Sequence, residues 1–372
     1  MTDIKIDYII PTYYDSSTVK VGLDKLCKQT RRDALNIIIV NDCSPNTDCN
    51  YQDIIDEYSN RLNIRVVKTP YNSGPGMAMQ FGVDAGTSDY YLIQDDDDCI
   101  ASDDVIESYI KVIEEHKNQN NIATIIGNAA LCNKDFSIIN VFGNDNKPIV
   151  HGRLFYRKFM QSHDIRYIDS VSWWMDDYYI NLLIILTMET LHSHVNLNLD
   201  KLCYLYRPGL KGSVTYGIGL YEKMFRGITL DVEIRRFLDN KCYADNSIEI
   251  YRAINKELFD TMLKLILMQY KNNTIREREW NILLDFRKYL LGKIGDSNEC
   301  KYNKDGEIFS SYTDYLLNTL LNAEISTNYL ADNSNIDADT LDDMYYTYLS
   351  DSDETIFNCG YSRINDMILG GE

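Results

Sequence analysis

Three short apolar runs, each ending in a polar cluster, constrain the fold of this chain more than any other feature. Residues 6–12 read IDYIIPT, residues 36–42 read NIIIVND, and residues 90–94 read YYLIQ. Apolar runs of this length, with little alternation, suit strands buried on both faces of a sheet. Segments of helical period lie between them: STVKVGLDKLC (17–27) behind the capping residues Asp15 and Ser16, YQDIIDEYSNRL (51–62), and GPGMAMQFGVDAG (74–86) with Pro75 in its first turn. With a further strand IRVVKT at 64–69, strand and helix alternate, which predicts βαβ units and an α/β sheet with helices on both faces. Chemistry in such sheets collects at the carboxyl ends of the strands. Three polar clusters fall there: PTYYD (11–15), NDCSPNTD (41–48) and QDDDD (94–98).

Beyond residue 100 the pattern is mixed. A helix DDVIESYIKVIEEH (103–116) precedes a strand IATIIGNAALC (122–132), and SWWMDDYYINLLIIL (172–186) reads as a loop entering a helix at Asp176 and Asp177. From about 217 onward helical periods prevail, as in 246–270 and 278–294. The expected division is an α/β domain over 1–216 and a mainly α-helical C-terminal region over 217–372. Residues 324–354 hold nine acids and no Lys or Arg. They read as a solvated acidic tail, with a docking surface for a basic partner as the alternative.

Composition narrows the function classes. An apolar content of 45% supports a globular core, and a formal charge of −19 disfavours steering toward nucleic acid or an anionic membrane. MTDIKIDYII lacks the basic and apolar regions of a secretory leader, and the run Ile180–Met188 is about half a bilayer span, so a buried core helix is expected there. Nine scattered cysteines form no C-x-x-C pair or zinc set and suit reduced thiols. These features together predict a cytoplasmic protein.

The four consecutive aspartates Asp95 to Asp98 repel one another unless a cation sits among them. On extended backbone Asp95 and Asp97 point the same way, and the spaced D-x-D-x-D-G of a calcium loop is absent. After Ile100 the chain is expected to enter a helix near Ser102, capped by the end of this run.

The ordered motifs IIPTYYD, IIIVNDCSPNTD, NSGPGMAMQFGVDAG, YYLIQDDDD, HGRLFYRKFM, WWMDDYY and YLYRPGLKGSVT resemble the inverting family 2 glycosyltransferases of the GT-A fold, over residues 5–216. The resemblance implies transfer of a sugar from a nucleotide-diphosphate donor, a uridine one by preference, to an acceptor hydroxyl. The acceptor class stays open: glycan, protein or another hydroxyl, a modified nucleobase included. It also implies Mn2+ or Mg2+ between carboxylate and diphosphate, since carboxylates alone cannot hold an anion. By this resemblance Asp97 and Asp95 are metal ligands, Asp95 with the ribose as its other target, and Asp96 lies on the donor side. His194 is a candidate third ligand.

Asp42 corresponds to an aspartate that accepts a hydrogen bond from uracil, with a turn or cap role as the simpler reading; Pro11, Thr12 and Tyr14 form the opposite wall of the base pocket. Asn72, Gly74, Ala78 and Gly82 match the family's N-x-G-x-x-x-A-R-N-x-G, whereas Met79 and Gln80 replace its Arg and Asn, and Cys43 stands where Gly is usual. Asp177 takes the place of the general base with Asp176 as its support; residues opening a helix would carry the same letters. Trp173 and Trp174 suit a sugar-stacking wall. Arg207 and Lys211 fall where relatives carry a flap over the diphosphate. Arg153 and Arg157 would line the acceptor side, with the surface as the simpler place for each.

Two other classes compete. A nucleotidyltransferase shares an α/β fold and acidic ligands, but the first strand is followed by PTYYDSST, without glycine or cation. A binding or scaffold protein could keep the fold without catalysis.

Overall fold

The computed structural model of the chain describes residues 4–13, 18–45, 51–142, 150–171, 176–192 and 194–207, with 230, 233–234, 236–237, 240–241, 302–304 and 307–309. The chain divides into two compact units, Met1–Gly217 and Ile218–Glu372.

The first unit opens with four parallel strands, β1 (Ile6–Thr12), β2 (Leu35–Asn41), β3 (Asn63–Lys68) and β4 (Tyr90–Ile93), connected through helices α1 (Val19–Cys27), α2 (Tyr51–Tyr58) and α3 (Pro75–Ala85). All seven residues of β1 are buried, as expected for a central strand. Ile6, Tyr8 and Ile10 share a core with Leu23 and Leu26 of α1, Ile54 and Tyr58 of α2, and Ile106 and Ile110 of α4 (Val105–Glu115). The opposite face carries α3. There a Cβ on Gly82 would run into Ile9 Cγ2 and lie 2.9 Å from Val40 Cγ2, so helix and sheet touch backbone to side chain. Helices thus cover both faces.

The second half of the unit departs from parallel order. It contributes β5 (Cys99–Ile100), β6 (Ile122–Cys132), β7 (Ile138–Phe142), β8 (Arg153–Tyr156), α5 (Arg157–Ser162), α6 (Asp176–Leu191) and β9 (Val195–Tyr206). The nine-stranded sheet runs β3-β2-β1-β4-β8-β6-β9-β5, with β7 also on β6. β8 is antiparallel to both β4 and β6, β9 is parallel to β6, and β5 is antiparallel to β9. The last pairing sets Cys99 opposite Leu205 and Ile100 opposite Tyr204, which brings the aspartate run beside the end of β9. This mixed α/β sheet is a GT-A fold.

Several expectations need correction. The helix expected near Ser102 begins at Val105, with Asp104 as its N-cap and not the aspartate run, and the two-residue strand β5 stands between that run and the helix. Arg153 and Arg157 are 1% and 8% exposed, not on the surface. Arg157 pairs with buried Asp7 at 2.8 Å and donates to the carbonyls of Ser88 (2.6 Å) and Val83 (2.5 Å), which ties the end of α3 to the sheet. The apolar run in α6 is buried from Tyr179 to Thr187, and among the described residues no helix is long and apolar enough to cross a membrane. Cys27, Cys43, Cys99, Cys132 and Cys203 are free thiols.

In the second unit, β10 (Tyr302–Lys304) and β11 (Glu307–Phe309) form an antiparallel pair. The helices expected at 246–270 and 278–294, and the acidic tail, lie outside the described residues, as do Asp15 and Ser16.

Candidate active site

The aspartate run is a turn and not an extended strand end: the Asp98 amide donates to the Asp95 carbonyl at 3.2 Å. The turn gathers Asp95, Asp97 and Asp98, whose carboxylate oxygens lie within 4.8 Å of one another. Asp96 points elsewhere and accepts the Thr18 hydroxyl at 3.1 Å. The expected pairing of Asp95 with Asp97 is present, with Asp98 added and with turn geometry as its cause.

Residues far along the chain hold this turn. Asp98 is fully buried and accepts the Tyr204 hydroxyl at 2.7 Å and the Arg207 amide at 2.8 Å. The same Tyr204 oxygen accepts the Asp95 amide at 3.1 Å. The Arg207 guanidinium donates through Nε to the Asp97 carbonyl at 2.6 Å, and through Nη2 as well, and lies 4.1 Å from the centre of the Phe136 ring. Arg207, expected at the diphosphate, is here a brace for the carboxylate turn.

Crowded carboxylates in a half-dry site retain protons. Burial, then the neighbouring Asp95, pushes Asp97 up to about 6. Burial pushes Asp96 up to about 7, with Asp97 and Asp95 adding to the effect against hydrogen bonds from Thr12 and Thr18. Asp98 is raised by burial and then by Asp97 and Asp95. Asp95 differs: burial would raise it, but His151 beside it holds it below its ordinary value. Three hard oxygen donors at ligand spacing, two of them destabilised by their neighbours' charge, fit a divalent cation of the Mg2+ or Mn2+ kind.

Motif reading missed His151. It sits just before β8, ahead of Gly152 with its φ of +73°, and is 6% exposed. Its Nε2 is 3.2 Å from Asp95 Oδ1 and its Nδ1 is 3.5 Å from Asp177 Oδ2, both ion-pair contacts out of line for good hydrogen bonds. The ring packs 4.9 Å from that of Tyr204. Burial alone would lower its pKa, yet Asp95 and Asp177 on its two nitrogens raise it to about 10. The only sequence signal was a histidine inside HGRLFYRKF, a stretch read for its arginines.

Asp176 and Asp177 form the first turn of α6. Burial lifts Asp177 to about 6, with His151 opposing and Asp95 adding. Asp176 is raised further by burial and by Asp177. Asp177 is therefore the member of the pair better able to lose its proton near neutrality. Arg153 belongs to the same buried surroundings, its pKa drawn down to about 10 by burial, with Tyr167 and Asp177 opposing.

The other two strand ends meet beside the turn. The Asp42 amide donates to the Thr12 carbonyl at 2.9 Å, and Thr12 and Pro11 are buried at the end of β1. The Asp42 carboxylate, 3% exposed, accepts from the Thr69 hydroxyl (2.7 Å), the Ser73 hydroxyl (2.9 Å), the Ser73 amide (3.0 Å) and the Gly74 amide (2.8 Å). These four donors, all from within the protein, let Asp42 set the shape of the loop before α3. Asn72 Oδ1 also accepts the Gly74 amide, at 3.3 Å, and Gly74 holds a φ of +84°. Cys43 takes a φ of +55°, the conformation that the family's glycine would adopt without strain. Gln80, in place of the family's Asn, accepts the Tyr167 amide at 2.9 Å.

His194 stays apart from these groups. It opens β9 at the end remote from Tyr204, packed 4.9 Å from Phe159 and 5.3 Å from His163, and does not join the carboxylate cluster. Tyr14, Lys211, Trp173 and Trp174 lie outside the described residues.

Comparison with known proteins gives matches of one kind. Residues 7–176 match the family described as glycosyl transferase family 2. A stretch of 117 residues is 29% identical to the poly(ribitol-phosphate) beta-N-acetylglucosaminyltransferase TarS of Staphylococcus aureus; it is 31% of this chain and spans only 20% of that protein's length. The crystal structure of S. aureus TarS 1–349 in complex with UDP-GlcNAc aligns at a TM-score of 0.48 and 14% identity, over 82% of this chain and 96% of that one. A mannosyltransferase from Pyrobaculum calidifontis in complex with GDP-Man and Mn2+ aligns at 0.49 and 13% identity, over 99% and 86%.

Proposed function

We propose that the chain, whose residues 7–176 match glycosyl transferase family 2, is a metal-dependent inverting transferase that moves a sugar from a uridine-diphosphate donor to an acceptor hydroxyl. One observation carries the reading. The carboxylate triad Asp95, Asp97 and Asp98 and the helix-opening Asp177 converge on the two sides of one buried histidine. A site for a diphosphate and a site for a proton acceptor thus sit side by side.

In this reading Asp95 and Asp97 hold Mn2+ or Mg2+, with Asp98 fixed behind them by Tyr204 and Arg207. When bound, the cation supplies positive charge against the departing diphosphate. Pro11, Thr12 and the loop Asn72–Gly74 border the nucleoside, and Asp42 sets that loop's shape from behind. Asp96, hydrogen-bonded to Thr18, faces the donor side. Tyr14 and Lys211 are proposed donor contacts on the strength of the motifs alone. Asp177 takes the proton of the acceptor hydroxyl as it attacks the anomeric carbon, and Asp176 keeps its proton and supports the turn. The uridine preference draws on the partial likeness to TarS, a beta-N-acetylglucosaminyltransferase. UDP-N-acetylglucosamine is accordingly the first donor to try.

The test is turnover of a panel of nucleotide sugars, with Mn2+ or with EDTA, by the wild type and by Asp97→Ala. Release of UDP only with metal, and lost in the variant, is expected. Full turnover in EDTA would refute the assignment of the aspartate turn.

A further inference from the structure

His151 is a buried ring lying between the Asp95 and Asp177 carboxylates. Its Nε2 faces Asp95 Oδ1 at 3.2 Å, its Nδ1 faces Asp177 Oδ2 at 3.5 Å, and its face rests on Tyr204, which in turn holds Asp98 and the Asp95 amide. One rigid imidazole therefore touches the metal turn on one side and the proposed base on the other. We propose that His151 is the positioning residue that sets the separation of donor half and acceptor half, each of its nitrogens holding one carboxylate at a fixed distance from the other.

The inference rests on the glycosyltransferase reading above for the role of Asp177, and on the carboxylate turn alone for the role of Asp95. The reaction needs the anomeric carbon and the acceptor oxygen at near-attack distance, where a displacement of about 1 Å can lower the rate ~100-fold. Groups standing behind metal ligands typically change metal affinity by about 10–100-fold when removed. A histidine that serves two partners through two different nitrogens can be divided by mutation. The amide nitrogen of Asn reaches about where Nδ1 lies, and that of Gln about where Nε2 lies. His151→Asn keeps the contact to Asp177 and gives up Asp95; His151→Gln keeps Asp95 and gives up Asp177.

The experiment measures Mn2+ binding by electron paramagnetic resonance on the full chain without nucleotide, and kcat and KM for UDP-N-acetylglucosamine turnover. His151→Asn should bind Mn2+ about 10-fold more weakly than wild type, and His151→Gln within about 3-fold of it. His151→Gln should lose ~100-fold in kcat at little change in donor KM. Equal Mn2+ affinities in the two variants, or equal losses in both accompanied by the same fall in melting temperature, would overturn the proposal. If the wild type binds Mn2+ but releases no UDP, the glycosyltransferase reading fails, and the contrast in Mn2+ affinity between the two variants still decides for or against His151.

Discussion

Metal-free protein should lose stability as pH rises from about 4.5 to 7.5, and Asp96 gives the size of the effect. Burial holds its carboxyl at about 7 against an ordinary 3.8. Its folded-state pKa lies above the unfolded one, so the associated stability is complete below about pH 4 and disappears as pH climbs through about 7. A difference of about 3 units corresponds to an upper bound of ~4 kcal/mol, at about 1.4 kcal/mol per unit. Asp96 keeps partial exposure to water, which screens part of this, and about 2 kcal/mol is the expected realised loss. For a unit of this size that is a fall of ~4–8 °C in melting temperature. Asp97, held at about 6, acts in the same direction. The assay is thermal melting in EDTA at several pH values, repeated with Mn2+ and with Asp96→Asn. Mn2+ should raise the melting temperature most at the upper end and flatten the dependence, because binding displaces protons and favours the folded form. Asp96→Asn should melt above wild type at pH 7.5 in EDTA, which separates this carboxyl from the general repulsion of a chain carrying −19 charges. A wild-type melting temperature that is flat or rising over this range, or a slope unchanged in Asp96→Asn, would refute the reasoning.

Four further outcomes follow. Arg157→Met should destabilise the protein by about 3–5 kcal/mol in urea unfolding because it strands buried Asp7, and Asp7→Asn in the same chain should restore more than half of that; an additive double variant would contradict the pairing. Gly82→Ala should cost about 1–3 kcal/mol, since its Cβ would meet Ile9 and Val40, and an unchanged unfolding midpoint would show that α3 has room to move. Asp177→Asn should reduce transfer about 10²–10⁴-fold while the melting shift with UDP and Mn2+ persists. Wild-type transfer should fall as pH drops through about 6, where Asp177 takes up a proton; a rate that holds steady down to pH 4.5 would exclude it as the base.

The parallel half of the sheet was legible because its signals are local. β1, β2, β3 and β4 are apolar runs closed by polar residues, and each was found to within about two residues. β5 has only two residues and carries no period to read, and β8 opens on Arg153 and runs straight into α5 at Arg157, with no polar turn to mark its end. Much of β9 is half-exposed, with polar residues among its apolar ones, which conceals a strand. The choice of Asp95 and Asp97 came from alternation on extended backbone, whereas the turn that gathers them depends on Tyr204 and Arg207. The partners of three motif residues were hidden for the same reason. Asp42, Arg157 and Arg207 were read from their place in motifs, and each is occupied by partners between 27 and 150 residues away. His151 went unnoticed because its two carboxylates come from different motifs and meet only in space.

The bracing of the aspartate turn also sets when the site comes into being. Asp98 is bound by residues 106 and 109 positions downstream, and the Asp97 carbonyl by one 110 positions downstream. Contacts of such separation form late, after the local βαβ units have closed. During synthesis, strands β1 to β4 are complete once about a hundred residues have emerged, but the four carboxylates then stand without Tyr204 or Arg207. A nascent chain in that state has a sheet and no assembled carboxylate turn, so the order of synthesis itself delays the site until β9 is in place.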